Sequence, residues 1–220
     1  MKVAISGASG KTGYRIAEEA LSAGHSIRLI IRKKSILPKT LKSAETINIS
    51  IANGKELDRA LQGCDTLFIA TGARPSIDLT GPARVDACGV EAQVKSCLRT
   101  GVKRVILVSS LCAGRLIHPL NFFGLILIWK RIGEKALEKS KLDWTIIRPG
   151  GLKEEESDLN SQGIIYTKQD TQKEGSIPRR LVAKCCIESM KSEKSIGKII
   201  EITSDLNQKV LSLEKVLQTL

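Results

Sequence analysis

Lys2-Val3-Ala4-Ile5-Ser6-Gly7-Ala8-Ser9-Gly10-Lys11-Thr12-Gly13 stands at the head of the chain. An apolar, strand-like run passes into three glycines spaced by three. Ile16, Ala17, Ala20 and Leu21 then share one face of a helix that ends at Gly24. In a phosphate loop the glycines act differently. Gly7 permits the tight turn, Gly10 lets a ligand approach the backbone, and Gly13 lets helix and strand pack closely. The amides and dipole of the helix start then face an anion. Strand, glycine turn and helix in that order read as a dinucleotide site. A glycine-rich turn without a ligand is the plainer alternative, and the context on both sides disfavours it.

The next strand bears on which dinucleotide. An apolar-rich run over 25–31 ends in Arg32-Lys33-Lys34, about twenty residues past the glycines, where an NAD site usually places a carboxylate on the ribose hydroxyls. A guanidinium grips a 2′-phosphate and stacks on adenine, whereas a carboxylate repels it. Arg32, with Lys33 beside it, therefore favours NADP(H). The competing reading is a solvated basic strand end.

Composition fits one globular domain of 220 residues, with 151–220 as a C-terminal segment closing the substrate side. Lys plus Arg number 35 against 23 acidic residues, a formal charge of +12. Nucleic acid is discounted, because the basic residues are dispersed, aromatics make up 3%, and no nucleic-acid-binding signature accompanies them. Weak association with an anionic membrane surface stays open. The apolar run over 122–129 is far shorter than the ~20 residues a bilayer span needs, and reads as core or pocket wall. Six cysteines show no CxxC pair and no metal-ligand spacing, so reduced thiols are expected and no metal. Adjacent Cys185 and Cys186 fall in a helical pattern and read as core. No secretion signal precedes the first strand, so a cytoplasmic protein is expected.

Strand and helix patterns alternate along the rest of the chain. Strands are expected over 46–51, 65–71, 102–109, 144–148 and 198–203, and helices over 55–61, 85–99, 126–141 and 181–189. Such alternation predicts a doubly wound α/β sheet with helices on both faces. Ligands then sit at the carboxyl ends of the strands, which directs attention to Thr71-Gly72-Ala73-Arg74-Pro75, Ser109-Ser110 and Arg148-Pro149-Gly150-Gly151.

With GASGKTG, ATGARPS, VDACG, GVKRVILVSS, FFGLILIWKRIGEKALEKS and WTIIRPGGL in that order, the chain resembles the atypical short-chain dehydrogenase/reductases of the NmrA-like, NAD(P)H-binding group. It is most similar there to the cyanobacterial and chloroplast members related to the Rossmann subunit of the plastid import translocon. The resemblance implies a Rossmann-like fold and a setting in a bacterial cytoplasm or plastid stroma. It implies that Gly7, Ser9, Gly10, Lys11, Thr12 and Gly13 hold the pyrophosphate and that Arg32 and Lys33 meet the 2′-phosphate. Ala70, Thr71, Gly72, Ala73 and Arg74 would line the adenosine and ribose side. Ser109 and Ser110 would lie under the nicotinamide, Lys130 would reach its ribose, and Pro149 would border the carboxamide. One departure is Ser50, where the family usually has an Asp near the adenine.

The larger departure concerns catalysis. Standard members carry a Tyr four residues before the Lys, and its phenol protonates the substrate oxygen. Ile126 holds that position here and has no proton to give. Three readings follow. Hydride passes from NADPH to a flavin, quinone or conjugated ring, with the proton coming from solvent, Ser109, Ser110 or His118. Alternatively, the chain binds NADP(H) without turnover and reports redox state to a regulatory protein partner, or it is an assembly scaffold. His118-Pro119 reads equally as an active-site residue or a loop turn. Glu154, Glu155, Glu156 and Asp158 are expected in solvent. Glu134 and Glu138 are expected to pair with Lys130, Lys135 or Lys141 at the surface.

Overall fold

The computed structural model describes residues 1–73 and 78–218. In chain order the elements are β1 (Lys2–Ser6), α1 (Gly13–Ser22), β2 (Ser26–Ile31), β3 (Glu45–Asn48), α2 (Gly54–Leu61), β4 (Thr66–Ile69), α3 (Gly89–Thr100) and β5 (Arg104–Val108). There follow α4 (Ile126–Glu138), β6 (Asp143–Pro149), β7 (Gly151–Lys153), β8 (Gly163–Lys168), β9 (Ser176–Pro178), α5 (Arg179–Lys191), β10 (Lys198–Asp205) and α6 (Leu213–Val216).

Eight strands form one sheet in the order β3-β2-β1-β4-β5-β6-β10-β8. All neighbours are parallel except β8, which runs antiparallel to β10 at the edge. The strand sequences explain this: Val3, Ala4, Ile5, Leu67, Phe68, Ile69, Val105 and Ile106 are completely buried, as strands covered on both faces require. On one face α1 and α5 pack Ile16, Ala17, Ala20, Val182 and Cys186 against Ile5, Phe68 and Ile106. On the other, α2, α3 and α4 bring Leu57, Leu61, Val94, Cys97 and Leu137 against Ala4, Leu67 and Ile146. Strand order reverses between β1 and β4, which opens a crevice at their carboxyl ends.

Several sequence expectations are corrected. Leu21 lies off the buried face of α1 and is exposed. The helix expected over 85–99 instead begins as a π-helical stretch, Ala83–Cys88, before α3. Strands β7, β8 and β9 have no counterpart among the expected elements: two have three residues, and β7 is exposed throughout, so no apolar alternation marks it. As the helix expected over 181–189 and the strand expected over 198–203 imply, the segment after Gly151 contributes α5 to the core and β10 to the sheet, while β7 and β9 form a separate parallel pair. Cys185 and Cys186 are completely buried, and burial pushes both thiols up.

Candidate cofactor and active site

The turn after β1 is built from close backbone contacts. Gly7 has φ +81°, donates its N–H to the Ile30 carbonyl at 3.1 Å, and accepts from Gly10 at 2.8 Å. A Cβ on Gly7 would lie 2.8 Å from the Ala70 carbonyl carbon, and one on Gly13 would lie 2.2 Å from the Gly7 oxygen. Neither position takes a side chain without displacing backbone. A Cβ on Gly10 meets only the Gly7 oxygen, at 3.1 Å, so Gly10 presents its bare face to the crevice. Thr12 makes no side-chain cap at the α1 N-terminus, so an anion can approach the helix start. These features fit a dinucleotide.

Two cavities meet at Gly10, Ala70 and Gly72. One, about 660 Å³, is bordered by Gly7, Ser9, Arg32, Lys33 and Thr71, together with Ser50 and Arg84. Arg32 and Lys33 are exposed there and have no ion-pair partner among the described residues. The other, about 980 Å³, is bordered by Lys11, Thr12, Ala73, Ser109, Ser110, His118, Lys130 and Pro149. Thus the expected site residues converge on one crevice, with Gly13 just behind it. Arg74 lies outside the described residues.

Ser109 follows β5, where its N–H donates to the Ile147 carbonyl at 2.8 Å. Its side chain is buried, and its Oγ has no hydrogen-bond partner among the described residues. A buried hydroxyl of this kind at a cavity wall fits a ligand group as its partner. Lys130, on the second turn of α4, places Nζ 2.8 Å from Asp86 Oδ1, and Asp86 Oδ2 accepts the Ala73 N–H at 3.1 Å. Asp86 is 3% exposed and sits in the π-helical stretch, a distortion frequent at functional sites. Gly133 allows the approach of α4: a Cβ there would lie 2.0 Å from the Asp86 carbonyl oxygen. Asp86 belongs to the VDACG stretch, yet nothing in the sequence assigns it a role. Forty-four residues separate it from Lys130, and only the packing of the two helical segments pairs them.

His118 borders the larger cavity, and its Nδ1 accepts the Leu120 N–H at 3.2 Å to start a short 3₁₀ turn. Ile126, four residues before Lys130, packs at the start of α4 against the Leu111, Cys112 and Leu127 cluster. The apolar run over 122–129 is broken by left-handed residues Gly124 and Leu125. Among the described residues no helix is long and apolar enough to cross a membrane, and no cluster of side chains suits a metal ion.

Two expectations about acidic residues are overturned. Glu134 is completely buried rather than at the surface, and takes two hydrogen bonds from the equally buried Arg148 at 2.9 and 2.7 Å. Arg131, not a lysine, also pairs with Glu134 and with Glu138. The cause is the face of α4 that packs toward β6. Burial works against the Arg148 charge, yet Glu134, followed by Asp170, holds the guanidinium above its ordinary value. Glu201 lies 3.4 Å from Arg148 and accepts the N–H groups of Asp170, Thr171 and Gln172. That anchors the segment leading to Lys173 and Gly175 on the cavity wall.

Nor do Glu154 and Glu156 simply face solvent. Glu154 meets Lys11 at 2.7 Å, Arg179 at 2.8 Å and Arg15 at 3.8 Å, while Glu156 meets Arg15 and, at 3.2 Å, Arg180. The hydrogen bond from Lys11 is the main reason the Glu154 carboxyl sits below its usual range.

Sheet order, glycine turn and crevice together define a Rossmann-type nucleotide-binding protein. The chain belongs to the NAD(P)H-binding family, whose model matches residues 7–193. It is 35% identical to an uncharacterized chloroplastic protein of Arabidopsis thaliana, over 92% of this chain and 76% of that one. It is 28% identical to sanguinarine reductase of Eschscholzia californica, over 93% and 89%. Protein TIC 62 of Pisum sativum is also 28% identical, and the match spans 98% of this chain but only 45% of TIC 62. Among solved structures, a Bacillus halodurans protein named as a candidate NAD-dependent epimerase/dehydratase superposes with a TM-score of 0.86 over the full length of both chains, at 26% identity.

Proposed function

We propose that this chain is an NADPH-dependent reductase that delivers hydride to a small conjugated acceptor such as a flavin, quinone or extended ring. The observation that carries it is the larger cavity, bordered both by Ser109, whose hydroxyl has no partner among the described residues, and by Lys130, which Asp86 holds from behind, while Ile126 removes the phenol. When bound, NADPH supplies the hydride. Lys130, oriented by Asp86, holds the nicotinamide ribose, and Ser109 orients the carboxamide or an acceptor oxygen. Arg32 and Lys33 hold the 2′-phosphate and set the preference over NADH. An acceptor whose reduced form takes its proton from water, or from Ser110 or His118, needs no tyrosine. Kinship with sanguinarine reductase supports this reading. A reducing compartment, bacterial cytoplasm or plastid stroma, suits six free thiols and chloroplastic relatives.

Ile126 favours a second reading, a sensor that binds NADP(H) and passes its redox state to a protein partner. Absorbance at the nicotinamide band separates the two. Loss of NADPH absorbance with flavin, quinone or conjugated acceptors is expected of a reductase, whereas tight binding with no turnover on any of them is expected of a sensor.

A further inference from the structure

We propose that Lys11, Arg15 and Arg179 form a cradle for the dinucleotide pyrophosphate, and that Glu154 is a built-in competitor the phosphates displace. The inference rests on the NADP(H) reading above. One carboxylate draws cations from two elements: Lys11 at 2.7 Å and Arg15 at 3.8 Å from the head of α1, and Arg179 at 2.8 Å from the first residue of α5. Lys11 and Arg179 both border the larger cavity, beside Gly10 and Thr12 of the phosphate loop. Glu154 therefore sits against the cations nearest the place where the loop receives phosphate.

The two arginines are held in place independently of Glu154. Arg15 has a side chain only 6% exposed and donates to the Lys11 carbonyl at 2.7 Å, and Arg179 donates to the Leu152 carbonyl at 3.2 Å. Glu156 ties the same loop to Arg15 and Arg180, so the loop stays attached when Glu154 lets go. The Lys11–Glu154 contact itself is weak, since the two side chains are 64% and 51% exposed. A pyrophosphate brings more charge and more acceptor atoms than one carboxylate, and prevails in that exchange.

The deciding measurement is the dissociation constant of NADPH, and of inorganic pyrophosphate alone, for the full chain and for Glu154→Gln, Glu154→Ala, Arg179→Gln and the Glu154→Gln/Arg179→Gln double variant. Melting curves check that each is folded. The expected result is about three- to tenfold tighter binding of both probes to the Glu154 variants and a loss of similar size for Arg179→Gln. In the double variant the gain from removing Glu154 shrinks, because one of the cations it frees is missing. Unchanged or weaker NADPH binding by both Glu154 variants, with the parent chain still binding, overturns the competitor and leaves the cofactor reading intact. Failure of every chain to bind either probe overturns both.

Discussion

Asp86 is buried behind the cavity wall and pairs with Lys130, the side chain on which the proposed chemistry depends. Its carboxylate joins the Lys130 ammonium to the Ala73 amide on the cavity wall. Asp86→Asn keeps the shape and removes the charge. Turnover is expected to fall about ten- to hundredfold in kcat/KM, with less than a fivefold change in NADPH affinity. Equal losses in both would mean that the pair serves binding alone. Arg32 belongs to the same scale: Arg32→Asp should reverse the preference between NADPH and NADH in a titration, because a carboxylate repels the 2′-phosphate. The glycine turn and the basic end of β2 were legible in the sequence because each stands at a fixed offset from a strand, whereas Lys130 was singled out by the family resemblance. Asp86, Glu134 and Glu154 were not, since Lys130, Arg148 and Lys11, with which they pair, lie 44, 14 and 143 residues away on other elements, and periodicity carries no information about such pairs.

Helix α4 shows how one element links site and core. Gly133 lets it approach Asp86, and Glu134, the next residue, binds Arg148 of β6 on another side. Gly133→Ala should lower stability by about 1 to 3 kcal/mol, since its methyl would overlap the Asp86 carbonyl, and should reduce turnover by moving Lys130. Glu134→Ala leaves Arg148 buried with only Glu201 and Asp170 for company, and is expected to cost about 3 kcal/mol in chemical denaturation. The long apolar strands and amphipathic helices were readable to within a few residues for the same reason: burial on a sheet or along one helical stripe imposes a period. Strands β7 and β9 impose none. They are three residues long and pair with each other, so only the closed chain reveals them.

At the scale of the whole molecule, the switch between β1 and β4 fixes where the crevice lies, and the net charge governs how an anion reaches it. A formal charge of +12 should draw a dinucleotide inward, so the association rate of NADPH is expected to fall as ionic strength rises, in stopped-flow fluorescence, more steeply than the dissociation rate changes. An association rate indifferent to salt would assign the charge to some other role. The most direct measurement of NADP(H) binding at the phosphate loop is titration calorimetry of the chain with NADPH, NADP+ and NADH, repeated on Gly10→Val, whose side chain would fill the bare face of that loop. NADPH is expected to bind more tightly than NADH, and Gly10→Val to abolish the heat. Binding of no nucleotide by the parent chain, or full binding by Gly10→Val, would contradict the assignment.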